Sequence, residues 1–147
     1  MKSKDLSIVI VTFKSEKKIF NCLNSISSNV DVLIVENSNN KNFKSHIEEK
    51  YANVKCFLTG GNKGYAVANN IGLKKVNTKY ALVLNPDTIL NKNAIDNFLI
   101  TAKKFQDFWL IGPANDQSIS YQFQNNNINE VDNLKGFAIF FNFSKFN

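Results

Sequence analysis

The chain has no arginine, a single histidine, two prolines, six glycines and two cysteines among its 147 residues. Each scarcity removes a class of protein. Cys22 and Cys56 stand apart in apolar segments, in no Cys-x-x-Cys or other ligand spacing, so neither a thiolate metal site nor a disulfide framework is expected. A reducing, cytoplasmic setting fits that usage. His46 falls on a polar stretch beside Glu48, Glu49 and Lys50, which reads as a solvated surface residue. No stretch of about 18 apolar residues occurs, which argues against a spanning helix. Residues 1–5 run directly into a strand-like segment without an apolar signal region or cleavage site, so export is not expected.

Sparse glycine also sets enzyme classes aside. The turn after the first apolar run, Thr12-Phe13-Lys14-Ser15-Glu16, contains none, and a dinucleotide fingerprint needs glycine for close approach to pyrophosphate. Gly60-Gly61-Asn62-Lys63-Gly64 lacks the Gly-Lys-Ser/Thr ending of a phosphate loop, and no Gly-x-Ser-x-Gly elbow is present.

What is present is ordinary for a soluble globular chain, with 44% hydrophobic and 20% charged residues. A chain of this length buries roughly 68–70% of its unfolded surface, enough for one domain over residues 1–147. The net charge is +6, carried by lysines dispersed among asparagines. Such a balance can attract phosphate-bearing ligands or an anionic membrane. No stretch interleaves lysines with aromatics, so no nucleic-acid partner is expected.

Residues 6–13 form a β-branched run too short for a helix and read as a buried strand. Ser15 can cap a helix whose Ile19, Phe20, Leu23 and Ile26 share one face. A second strand follows over 30–35, a turn-rich exit over 37–40, a polar helix over 43–51 and a third strand over 54–58. The glycine-rich segment then opens a helix over about 65–76. A fourth strand over 80–84 ends at Asn85-Pro86-Asp87, and a further helix carries Ala94, Ile95, Phe98, Leu99, Ala102 and Phe105 on one stripe. Regularity fades from Trp109 through the asparagine-rich 124–129, and a strand returns over 136–141. Because parallel strands need crossovers, this alternation predicts an α/β fold with a mostly parallel sheet covered by helices on both faces.

Open α/β sheets bind ligands at the carboxyl ends of their strands. Thr12, Glu36, the loop over 61–64 and Asp87 are the polar residues expected there. Asp87 follows a fully apolar strand, and Pro86 restricts its approach. A divalent cation on that carboxylate would stabilise the charge developing on a departing diphosphate. The alternative is a simple turn with Asp87 capping the next segment. Gly61-Asn62-Lys63-Gly64 could aim backbone N–H groups and a helix dipole at an anion, or could be a plain strand-to-helix turn. Glu36 could accept from a nucleobase imide or a ribose hydroxyl, or could be an exposed strand-end glutamate.

The order of these segments resembles family 2 glycosyltransferases of the GT-A, Rossmann-like fold, particularly a rhamnosyltransferase-like bacterial branch. The resemblance covers about residues 6–143. It rests on Ser7-Ile8-Val9-Ile10-Val11-Thr12-Phe13, Val35-Glu36-Asn37-Ser38, Gly61-Asn62-Lys63-Gly64-Tyr65-Ala66 with Asn69-Asn70-Ile71-Gly72, Leu84-Asn85-Pro86-Asp87 and Gly136-Phe137-Ala138.

The resemblance implies that Thr12 and Phe13 line a nucleotide pocket, that Glu36 stands where the family has a base-contacting Asp, and that Asn70 lies near the nucleoside. Asn62 and Gly64 belong to the loop facing the donor. Asn85-Pro86-Asp87 corresponds to the family's Asp-x-Asp motif, which makes Asp87 the residue for a divalent metal, Mg or Mn, and for the diphosphate. The implied reaction is inverting transfer of a sugar from a nucleotide-diphosphate donor to an acceptor hydroxyl on a saccharide or lipid-linked acceptor. Its implied setting is cytoplasmic, with peripheral association at the inner membrane face, in cell-surface polysaccharide synthesis. Lys14 replaces the family's usual Asn, Glu36 is longer than Asp by one methylene, and Asn85 is a weaker ligand than Asp. The family's general base comes from a later acidic segment, and neither Asp116 nor Asp132 matches its motif, so the natural catalytic domain is expected to be longer than this chain. A binding-only module that keeps the nucleotide pocket is the rival expectation. A nucleotidyltransferase, distinguished by pyrophosphate release, is a third.

Overall fold

The computed structural model describes residues 5–113 and 131–146. Asp116 and the asparagine-rich 124–129 lie outside the described residues. Six strands form one sheet in the order β3-β2-β1-β4-β6-β5: β1 (Leu6–Thr12), β2 (Asp31–Glu36), β3 (Val54–Leu58), β4 (Tyr80–Leu84), β5 (Leu110–Ile111) and β6 (Ala138–Asn142). The pairings β1·β2, β1·β4 and β2·β3 are parallel, and those of β6 with β4 and with β5 are antiparallel. The α/β class and the mostly parallel sheet are as the sequence predicts.

β1 sits between two parallel neighbours, and every one of its residues is buried. That placement explains its unbroken apolar run, because a central parallel strand is covered on both faces. Leu6, Ile8 and Ile10 face one side with Val32, Ile34, Leu82, Leu84 and Phe140. Against them pack α1 (Glu16–Asn24), α2 (Lys41–Lys50) and α4 (Ala94–Lys104) through Ile19, Leu23, Phe43, Ile47 and Ala102. Val9, Val11, Leu33, Val35 and Val83 face the other side, where α3 (Tyr65–Leu73) supplies Ala68, Ile71 and Leu73. Among the described residues helices therefore cover both faces unequally, three on one and one on the other.

Several bounds differ from the sequence pattern for local reasons. β1 stops at Thr12, which leaves Phe13 outside the sheet and 44% exposed. β2 extends to Glu36, because that residue pairs with Thr12 on one side and Leu58 on the other. α3 ends at Leu73 rather than near Val76; the amides of Lys75 and Val76 turn back to the carbonyls of Gly72 and Leu73. Ser15 precedes α1 without a side-chain capping bond, since its hydroxyl donates to the Phe13 carbonyl instead. Asn40, not singled out as a cap, closes the start of α2 by accepting from the Phe43 amide. The two-residue β5 is an element the periodicity does not mark.

Candidate functional site

The chain runs outward from β1 to β2 and β3, then crosses to the far side of β1 for β4, so its direction reverses between β1 and β4. At the carboxyl end of such a switch point the loops diverge and leave a crevice. An open cleft of about 430 Å³ lies there, lined by Val11, Phe13, Ser15, Asn37, Asn62, Gly64, Tyr65, Asn85, Pro86 and Asp87. A larger hollow of about 580 Å³ lies between the end of α1 and the start of α4, bounded by Asn24, Ile26, Val30, Asn91, Ile95 and Leu99. It gathers none of the strand-end residues, so the smaller cleft is the candidate site.

A hydrogen-bonded loop shapes one wall. Asn37, only 2% exposed, donates through Nδ2 to Asn62 Oδ1 at 3.1 Å and accepts the Lys63 amide at 2.9 Å. Asn62 Oδ1 also accepts the Gly64 amide at 2.9 Å. Gly64 lies at φ 79°, ψ 162°, a conformation open to glycine alone, and leads straight into α3. α3 carries no side-chain N-cap, so its first-turn N–H groups have no capping side chain, and Gly64 and Tyr65 at its start line the cleft.

The opposite wall is built on β4. The Asn85 amide donates to the Phe137 carbonyl and its carbonyl accepts from Thr88, which pins the segment against the entry to β6. Tyr65, at the start of α3, donates its hydroxyl to Asn85 Oδ1 at 2.9 Å and lies 3.3 Å from the Gly136 carbonyl. Asp87 has a half-exposed side chain, 3.6 Å from Lys18 Nζ of α1. Beneath them Cys22 lies 3.7 Å from the Asn85 carbonyl; burial, with a contribution from the Asp87 charge, pushes its thiol up to about 12.

Of the residues expected at the site, Phe13, Asn62, Gly64, Asn85 and Asp87 line the cleft. Thr12 and Glu36 stand behind it. Thr12 is 1% exposed, its carbonyl accepts the Asn37 amide, and its hydroxyl has no hydrogen-bond partner. Glu36 is also 1% exposed, so the alternative of an exposed strand-end glutamate does not hold. Its carboxylate accepts the Ser38 amide, the Ser38 hydroxyl and the Asn40 amide, so it holds its own loop. Asn70 is exposed on α3 and is not a lining residue. Asp132 is exposed and does not line the cleft either. Asn37 and Tyr65 are lining residues that individual residue chemistry did not single out. A polar residue immediately after a strand and an aromatic immediately after a helix-opening glycine are the signals that mark them.

Among the described residues no group of three or more His, Cys, Asp or Glu side chains could cage a metal. Asp87 is the one carboxylate among the described residues that lines the cleft. That donor set fits a hard cation which takes one or two carboxylates and draws its other oxygens from phosphate and water. No described helix is long and apolar enough to cross a membrane.

A model of glycosyl transferase family 2 matches residues 7–142. The low-salt glycan biosynthesis hexosyltransferase Agl10 of Haloferax volcanii is 35% identical over 116 residues, which cover 74% of this chain and 36% of that protein. TarS of S. aureus, in complex with UDP, superposes with a TM-score of 0.62 at 22% identity, covering 78% of this chain and 39% of that one. The mannosyltransferase PcManGT of Pyrobaculum calidifontis, in complex with GDP-Man and Mn2+, does so with a TM-score of 0.72 at 13% identity, covering 96% and 47%. The chain thus spans less than half the length of each of these proteins. At such identities the structural likenesses show the fold, while the family match extends over nearly the whole chain. The chain belongs to glycosyl transferase family 2 and has the GT-A fold.

Proposed function

We propose that this chain is the donor-binding part of an inverting, metal-dependent glycosyltransferase that takes its sugar from a nucleotide diphosphate. The observation that carries this is the convergence in one cleft of Phe13 from β1, the uncapped start of α3, and Asn85 and Asp87 from β4. A bound nucleotide needs an apolar surface for its base, N–H groups for its phosphates and a carboxylate beside them for a cation. Phe13 offers the first, the loop over 62–64 with the start of α3 offers the second, and Asp87 offers the third. Thr12 and Glu36 support the nucleoside side from behind. A divalent cation, Mg or Mn, held by Asp87 supplies Lewis-acid neutralisation of the charge that develops on the diphosphate.

Donors carrying UDP or GDP are the first to try, given the ligands of the two structural neighbours. The hexosyltransferase and glycan-biosynthesis description of the Haloferax relative supports a hexosyl group and a role in cell-surface polysaccharide synthesis. Such an enzyme acts in the cytoplasm on a saccharide, or at the inner membrane face on a lipid-linked acceptor. Isothermal titration of the chain with UDP and with GDP, each with and without Mn²⁺, tests the assignment. Binding is expected to tighten tenfold or more when Mn²⁺ is added and to lose that gain in Asp87→Ala; the absence of any binding that depends on both metal and Asp87 sinks it.

A binding-only role is favoured by one observation, that among the described residues Asp87 is the sole carboxylate lining the cleft. Inverting transfer requires a base within hydrogen-bond reach of the acceptor hydroxyl. Release of free nucleotide from a donor by the full-length protein separates the two: release supports the transferase, and nucleotide binding without release supports the module.

A further inference from the structure

We propose that Tyr65 sets the side-chain amide of Asn85 so that this residue acts as a hydrogen-bond donor to a phosphate oxygen, leaving Asp87 as the ligand that the segment over 85–87 gives the cation. This rests on the donor-binding role proposed above and specifies which residue does what in it. An asparagine in the first position of an Asp-x-Asp-like segment has two uses. Its Oδ1 can coordinate a cation as a neutral ligand, or its Nδ2 can donate to an anion. The two orientations are exclusive, and what the oxygen touches decides between them.

In this chain the oxygen is engaged. The Tyr65 hydroxyl reaches Asn85 Oδ1 at 2.9 Å and the Gly136 carbonyl at 3.3 Å, and its single proton favours the shorter contact. The Asn85 backbone cannot swing to free the side chain, because its amide bonds to Phe137 and its carbonyl accepts from Thr88. With Oδ1 held against the Tyr65 side of the cleft, Nδ2 has no hydrogen-bond partner among the described residues. Asn85 lines the same cleft as Asp87. An uncommitted N–H pair on one lining residue and a carboxylate on another divide the labour between the two: Asn85 for oxygen lone pairs of the diphosphate, Asp87 for the metal. Tyr65 is a positioning residue in this scheme. Its place directly after Gly64 ties the orientation of Asn85 to the glycine loop that forms the phosphate side of the cleft.

The scheme separates from a two-ligand metal site by calorimetry with three probes: Mn²⁺ alone, UDP or GDP alone, and either nucleotide with Mn²⁺. Tyr65→Phe keeps the ring and removes only the hydroxyl at a half-exposed position, so the fold is not at stake. It is expected to weaken nucleotide binding about tenfold without metal, the effect of one hydrogen bond of about 1.4 kcal/mol, while the enhancement that Mn²⁺ adds stays as in the parent. Asn85→Asp is expected to act in the opposite sense, tightening Mn²⁺ alone by tenfold or more and weakening the metal-free nucleotide. An unchanged metal-free affinity in Tyr65→Phe, or an unchanged Mn²⁺ affinity in Asn85→Asp, overturns the proposal while leaving the nucleotide site intact. Failure of the parent chain to bind any nucleotide with Mn²⁺ would instead remove the donor-binding assignment. The orientation itself has a ligand-free readout. In a proton–nitrogen correlation spectrum, Tyr65→Phe is expected to shift the side-chain amide pair of Asn85; a pair that stays in place refutes the hydrogen bond.

Discussion

Cys22 and Cys56 are both buried, one on α1 beside the Asn85 carbonyl and one on the edge strand β3. Burial pushes each thiol up to about 12, with nearby charges adding smaller effects. Because the thiolate is the nucleophile, both should be inert at neutral pH. In the native protein neither is expected to react with a maleimide over a time in which the denatured chain reacts at both; rapid labelling of the folded chain would contradict this. At the same scale, Asp87 was legible because an aspartate closing an apolar strand has to stand at the sheet's rim. Glu36 was less so. Its position after Val35 shows that it ends a strand, but whether its carboxylate faces solvent depends on Ser38 and Asn40 folding back onto it.

Among the described residues α3 is the one helix on its face of the sheet, and it sits close. A Cβ placed on Gly72 would lie 2.9 Å from Val35 Cγ2 and nearer still to Val9 Cγ1. The glycine is there for that approach, since its φ is not one that excludes other residues. Gly72→Ala raises helix propensity by about 0.8–1 kcal/mol, but overpacking a dense core costs about 1–3 kcal/mol. The expected result is a lower urea midpoint with an unchanged slope, and a raised midpoint would show that α3 can lift away freely. Elements were the most readable scale, because strand and helix spacing are local properties. Their ends were less so. Val76 continues the apolar pattern of α3 yet packs on the sheet from a turn, since an apolar side chain is recruited to a core whatever its backbone conformation.

For the molecule as a whole, Phe140 joins the parallel part of the sheet to its antiparallel edge. It is fully buried on β6, and its ring stacks with Phe98 of α4, Tyr80 of β4 and Phe108. Phe140→Ala is expected to cost about 3–5 kcal/mol, a large part of the roughly 5–15 kcal/mol by which a domain is stable. A loss below about 1 kcal/mol in denaturant unfolding would mean that β6 contributes little to the fold. β6 also matters to the cleft, because the Phe137 carbonyl at its entry accepts the Asn85 amide.

By itself the sequence determined the alternation of buried strands and amphipathic helices, the α/β class and the motif order of the family. Those features depend on side-chain period and on residues close together in the chain. Tertiary structure alone decided which strand ends adjoin, which face each helix covers, and which polar groups are used up internally before a ligand arrives. The Tyr65 hydroxyl meets a carbonyl 71 residues away, and the Asn37 amide meets a loop 25 residues on. Contacts of that separation are set by packing the whole sheet, and no local spacing encodes them.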